Sequence, residues 1–148
     1  MDNTEITVKH YSELTKDELF EILKLRVDVF VVEQECPCRE IEELDPQSYH
    51  LCLRENGRLT AYLRIIPQGE GEPVVIGRVI SVRRRCGLGT RILREAVGFA
   101  SEQLGARKFT LQAQTYAQGL YEGVGFKRVS DVYIYDGQPH IRMEMTIK

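Results

Sequence analysis

An α/β fold, with one mixed, mainly antiparallel sheet of about seven strands and helices on both faces, is predicted by three observations. Two dipeptides, Asn56-Gly57 and Asp136-Gly137, sit between strand-like stretches and supply the two positive-φ residues of a tight type I′ hairpin turn. Two longer stretches repeat apolar residues at helical spacing. A glycine-rich turn, Arg84-Arg85-Cys86-Gly87-Leu88-Gly89-Thr90, joins a strand-like segment to the second of those helices. At 148 residues and 43% hydrophobic, the chain is long enough for one core and too short for two ordinary domains, so residues 1–148 are read as a single domain.

In chain order, Ile6 and Val8 alternate with polar neighbours as a short first strand. Thr15-Lys16-Asp17-Glu18 is a capping box, and Leu19, Ile22, Leu23, Val29 and Phe30 carry a helix to about Val32. The acidic segment Glu33 to Gln47 contains Pro37 and Pro46 and reads as a loop with at most a short helical turn. Tyr49 to Arg54 and Leu59 to Ile66 form the first hairpin, and Val74 to Val82 returns as a further strand. Leu88, Ile92, Leu93, Ala96, Phe99, Ala100 and Leu104 cover one face of the next helix, which Gly105 closes. Lys108 to Gln114 is a strand, Ala117 to Glu122 a short helix, and Phe126 to Tyr135 and His140 to Ile147 the last two strands. No repeat or linker divides the chain.

Lys plus Arg number 20 and Asp plus Glu 22, a formal charge of −2 that argues against general nucleic-acid binding. No stretch reaches about 18 uncharged apolar residues and Met1 to Glu5 lacks a basic region before an apolar run, so a cytoplasmic protein with no membrane partner is expected. Four cysteines at 36, 38, 52 and 86 then read as free thiols. Cys36 and Cys38 with His50 and Cys52 do not have the usual zinc-finger spacing, and no metal site is predicted.

The glycine turn reads as a socket for a phosphate-bearing ligand. Glycines at 87 and 89 let the backbone approach closely, and the unpaired N–H groups of the following helix's first turn point outward at its positive end. The spacing is neither the dinucleotide fingerprint nor the Walker loop. A solvated basic turn at Arg83-Arg84-Arg85 is the plainer alternative.

Set beside this turn, Ala117-Gln118-Gly119-Leu120-Tyr121-Glu122-Gly123-Val124-Gly125-Phe126 completes a pattern, Arg-x-x-Gly-x-Gly followed by Ala-x-x-Leu-Tyr-x-x-x-Gly-Phe. It resembles the GNAT superfamily of acetyl-CoA-dependent N-acetyltransferases, and the element order matches along essentially the whole chain. Arg26-Val27-Asp28-Val29-Phe30-Val31-Val32-Glu33-Gln34 with Cys36-Pro37, and Asp136 to Ile141, resemble the ElaA-like branch. The resemblance implies a single GNAT-like domain in which the backbone of Val79, Ile80, Ser81 and Val82 pairs with the pantetheine arm of acetyl-CoA. The amides of Arg85, Cys86, Gly87, Leu88, Gly89 and Thr90, behind Arg84, hold its pyrophosphate. Gln114 and Ala117 lie near the thioester, where Gln114 replaces a frequent asparagine, and Arg85 replaces a frequent glycine.

The resemblance makes Tyr121 the acid that protonates the departing thiolate. An amine acceptor must be neutral to attack, which for a lysine-like pKa of about 10.4 costs roughly 4–5 kcal/mol at pH 7. Glu33, Glu35 and His140 are the candidate bases beside a water relay. The expected activity is acetyl transfer to an amine by direct attack in a ternary complex, with no metal. The alternatives are a catalytically silent CoA-binding module and a protein-interaction domain with an incidental glycine turn. Acids at Glu33, Glu35, Glu40, Glu42, Glu43 and Asp45 point to a cationic acceptor or merely solvate their loop. The outer edge of the final hairpin offers a surface for a homodimer.

Overall fold

The computed structural model describes residues 3–82 and 87–148. Eight strands form one sheet in the order β1-β2-β3-β4-β5-β8-β6, with β7 also pairing β8. The strands are β1 Thr4–His10, β2 Tyr49–Glu55, β3 Arg58–Ile66, β4 Val74–Ser81, β5 Lys108–Gln114, β6 Lys127–Arg128, β7 Tyr133–Tyr135 and β8 Gln138–Thr146. The helices are α1 Lys16–Val27, α2 Leu88–Leu104 and α3 Gln118–Val124.

Alternation along the strands sorts the side chains onto two faces. Leu51, Leu53, Ala61, Leu63 and Ile65 pack with Phe109, Leu111, Ala113, Ile141 and Met143 under α2 and α3, whose Ile92, Leu93, Ala96 and Tyr121 join the same core. Cys52, Tyr62 and Ile80 face the other way, against Ile22, Leu25, Val29 and Phe30 of the α1 segment. The expected mixed sheet with helices on both faces is what the chain builds. Burial pushes the Cys52 thiol up to about 12, so it is a neutral core residue.

All pairings are antiparallel except that of β4 with β5, which is parallel and limited to Val74↔Phe109 and Val75↔Thr110. Beyond those two rungs the strands have no further ladder pairing, and β4's far half keeps only its β3 neighbour. That divergence is the feature the site is built on.

Two elements differ from the sequence reading. The first helix keeps its capping box, with the Thr15 hydroxyl accepting from the Glu18 amide and the Glu18 carboxylate accepting from the Thr15 amide. After Val27, however, it widens into a π-turn over Asp28–Glu33. Helical spacing continues across that stretch, so periodicity alone does not separate the two windings. The expected strand Phe126 to Tyr135 is instead two short pieces, β6 and β7, raising the count to eight. Ser130 interrupts it by accepting the Arg142 amide through its hydroxyl at 2.8 Å, the place a backbone carbonyl would hold. The outer edge of the final hairpin is therefore short and broken. The loop 33–47 has the expected brief turn, at Asp45–Gln47.

Both predicted hairpin turns form, with φ of 52° and 81° at Asn56 and Gly57 and 51° and 74° at Asp136 and Gly137. Among the described residues no helix is long and apolar enough to cross a membrane.

Candidate active site in the splay between β4 and β5

A cavity of about 860 Å³ occupies the divergence and reaches both faces of the sheet. Every predicted site residue that is described lines it, except the candidate base Glu35. Val79 to Val82 form one wall, Gly87 to Thr90 one end, and Gln114, Ala117 and Tyr121 the opposite wall, with Glu33 and His140 at the α1 side. Glu35 is exposed and is not part of the lining. Arg84, Arg85 and Cys86 lie outside the described residues.

The start of α2 has the character of an anion site. Gly87 is its N-cap at φ 80°, a conformation that favours glycine, and neither a side-chain cap nor an acidic residue occupies the first turn. Gly89 has a different basis from the one expected. A Cβ there would lie 3.2 Å from the Leu120 side chain, so this glycine lets α2 and α3 approach one another. The role the sequence reading gave it, room for phosphate, is not needed to explain it.

Tyr121 projects from α3 into the core on the α2 face, edge-on to Phe126 at 6.2 Å between ring centroids. Its hydroxyl makes no hydrogen bond to another described residue, and burial pushes the phenol well above its ordinary pKa. The group is a protonated donor aimed at the splay. His140 is opposite Gln114 in the β5–β8 register, one residue from core-facing Ile141, so it faces the α1 side. Its Nδ1 lies 2.9 Å from the Gln138 carbonyl, which only accepts, so Nδ1 carries the proton. In the neutral ring Nε2 then keeps a lone pair. Tyr133 stacks on this ring and Tyr135 meets it edge-on, fixing its plane. A phenol and an imidazole thus line the cavity from opposite faces of the sheet.

The other candidate base, Glu33, ends the π-turn and is exposed at the cavity rim. Its neighbour Gln34 accepts a 3.2 Å hydrogen bond from the Gln114 amide, spanning the mouth between the π-turn and β5. Cys36 donates its thiol to the Asp136 carbonyl at 3.3 Å, tying the 33–47 loop to the β7–β8 turn.

Sequence reasoning missed a buried ion network beneath that loop. Arg26, fully buried, donates to Glu40 Oε2 at 2.7 Å, to the Glu40 carbonyl at 2.7 Å and to Asp45 Oδ1 at 2.6 Å. Arg64 bridges Asp45 at 2.9 Å and Glu42 at 3.0 Å. Arg78 reaches Glu40 at 2.9 Å. Burial alone would raise the Asp45 carboxyl, but hydrogen bonds from Arg26, the Glu42 amide and Arg64, together with the Arg26 charge, jointly outweigh it and hold Asp45 at about 2. His50 lies beside the network: its Nε2 donates to the Asp45 carbonyl, so Nδ1 accepts from the Tyr62 hydroxyl at 2.6 Å. Burial lowers its pKa and leaves it neutral. With both ring nitrogens engaged and Cys52 in the core, the four candidate zinc ligands do not converge. Three of the six acids read as a cation lure, Glu40, Glu42 and Asp45, are committed to arginines.

Arg78 also marks a β-bulge. Between the pairs Tyr62↔Ile80 and Arg64↔Gly77, β4 holds one residue more than β3, and Arg78 takes up the excess at φ 55°. Gly77-Arg78 inside an apolar strand is the only sequence signal for it.

A family model described as an acetyltransferase (GNAT) domain matches residues 12–147, the span that holds the diverging strand pair, the uncapped helix start and the bulge. The chain belongs to the GNAT family. Within it the chain is ElaA-like: Escherichia coli ElaA is 37% identical over 90% of this chain and 91% of its own length. The ElaA crystal structure superposes at a TM-score of 0.89 over 95% of this chain and 99% of that one. A UPF0039 protein of Schizosaccharomyces pombe is 41% identical over 99% of this chain and its whole length. The structure of an acyl-CoA N-acyltransferase from Pseudomonas aeruginosa is 39% identical, with a TM-score of 0.88, covering 96% and 99% of the two chains. As a GNAT protein the chain is an acyl-CoA-dependent N-acyltransferase at the family level.

Proposed function

We propose that this protein transfers an acetyl group from acetyl-CoA to an amine by direct attack in a ternary complex. The observation that carries the reading is the pair Tyr121 and His140, which meet one cavity from opposite faces of the sheet. The residues present suit the donor: the uncapped first turn of α2 for a pyrophosphate, and the cavity-lining backbone of β4 beyond its two rungs with β5 for an amide-bearing arm. Acetyl-CoA supplies an activated thioester carbonyl. His140 Nε2 accepts the proton that the acceptor amine must lose, directly or through one water. Tyr121 gives its hydroxyl proton to the leaving sulfur: burial keeps the phenol protonated beforehand and makes it a weaker acid, and the same apolar surroundings raise the proton affinity of the thiolate that receives the proton.

Thermal unfolding with acetyl-CoA, CoA, ATP and NAD at equal concentration tests the socket. A ligand at 100 times its dissociation constant adds about 2.7 kcal/mol, on the order of 5 °C. A shift with both CoA species alone supports the reading, and thiol release with an amine panel then tests transfer. CoA binding with no release from any amine would leave a silent CoA-binding module. No selective shift would remove the CoA reading altogether.

A further inference from the structure

We infer that the acceptor is an amine carrying both a carboxylate and an apolar side chain, the chemistry of an apolar amino acid, held on the α1 face of β4 beside Gly77 and Arg78. The inference rests on the transferase reading above and gives it a substrate class.

The first support is the ion network seen from the cavity. Its side chains balance, Arg26, Arg64 and Arg78 against Glu40, Glu42 and Asp45, but their hydrogen-bonding capacities do not. Every carboxylate oxygen is engaged: Glu40 Oε1 and Oε2, Glu42 Oε1 and Oε2, and Asp45 Oδ1 and Oδ2 each accept from a guanidinium. The surplus is all donors. Arg64 Nε is buried with no partner, and Arg78 uses Nε and one terminal nitrogen, the latter at 3.4 Å, leaving Nη1 without a partner among the described residues. Arg78 lines the cavity and keeps 17% of its side chain exposed. A group that only accepts, a carboxylate, complements this site, and a cation does not.

The second support is Gly77. It lies opposite Arg64 in the register, lines the same cavity, has no positive φ and has no atom within 4 Å of where a Cβ would be. Neither turn geometry nor packing calls for glycine, and in a strand interior it costs stability. What it provides is open backbone surface. Phe30, Val29, Leu44 and Ile66 supply apolar walls around that opening. Finally, Arg78 holds a strained φ of 55°, the kind of outlier that persists at ligand sites.

The test pairs leucine with isopentylamine, the same skeleton without its carboxylate, and adds spermidine as a cationic acceptor. Thiol release from acetyl-CoA is followed for each, and calorimetric binding of leucine and isopentylamine is measured to the CoA-loaded protein. Leucine is expected to exceed isopentylamine at least tenfold in kcat/KM and in affinity. Arg78→Gln should erase that ratio by lowering the leucine value alone. Gly77→Val should weaken leucine at least tenfold while the thermal shift with acetyl-CoA stays, which also shows that the variant is folded. Equal or better use of isopentylamine or spermidine overturns the inference and leaves the transferase reading intact. Should no amine release thiol, transfer fails as a reading, while carboxylate-dependent leucine binding still upholds the pocket and its absence overturns it.

Discussion

In the proposed transfer Tyr121 and His140 divide two proton transfers between them, and each role makes a separable prediction. Tyr121→Phe keeps the ring packed on Phe126 and removes a hydroxyl with no described hydrogen-bond partner. The midpoint of thermal unfolding should therefore barely move, while kcat falls by about 10²-fold or more in a thiol-release assay. Because burial raises the phenol pKa, the alkaline limb of the wild-type profile should not be set by Tyr121 below about pH 10. His140→Ala should show the opposite dependence. Its loss in kcat/KM is largest near pH 7 and shrinks toward pH 9, where roughly 100-fold more of a lysine-like amine is already neutral. A defect that stays constant across that range would remove His140 as the base. Tyr121 was legible in the sequence because a spacing motif carries it. The working nitrogen of His140 was not, since it depends on the Gln138 carbonyl two residues away.

At the scale of the elements, the glycine start of α2 and the loop network respond to different stresses. Gly87→Ala forces a Cβ into φ 80°, at a cost of roughly 1 kcal/mol in urea unfolding, and should weaken CoA binding by disturbing the first turn. The network answers to acid. Asp45 titrates near 2 when folded against about 3.9 unfolded, so its stabilisation is full above pH 4 and is lost as pH falls through 2. Asp45→Asn should flatten that part of the acid-unfolding curve. Arg26→Met, which strands Asp45 and Glu40, should cost about 3–5 kcal/mol. The elements themselves were largely readable: α2 and β5 run over the predicted residues, because heptad-like and alternating patterns with glycine and hairpin punctuation leave little choice. The π-turn, the bulge at Arg78 and the break at Ser130 were not. The bulge and the break each meet a long-range partner, Glu40 for Arg78 and the Arg142 amide for Ser130, that no local pattern announces.

For the whole molecule, residues from both sides of the sheet line one cavity, which suits a donor and an acceptor bound together. Initial-rate plots should intersect, the mark of a ternary complex, and no acetylated protein should be isolated after incubation with acetyl-CoA alone. Parallel lines with an acetyl-enzyme would overturn direct transfer.

The two rungs between β4 and β5 have a further consequence. They leave the molecule as two half-sheets stitched at one end, with the Gln34–Gln114 hydrogen bond as a basting thread across the open mouth. An extended amide-bearing arm lying in the gap would act as the missing strand. Deuterium should enter the amide of Val79 quickly in the free protein and slowly once the gap is filled, with the ligand serving as the final rung of the sheet.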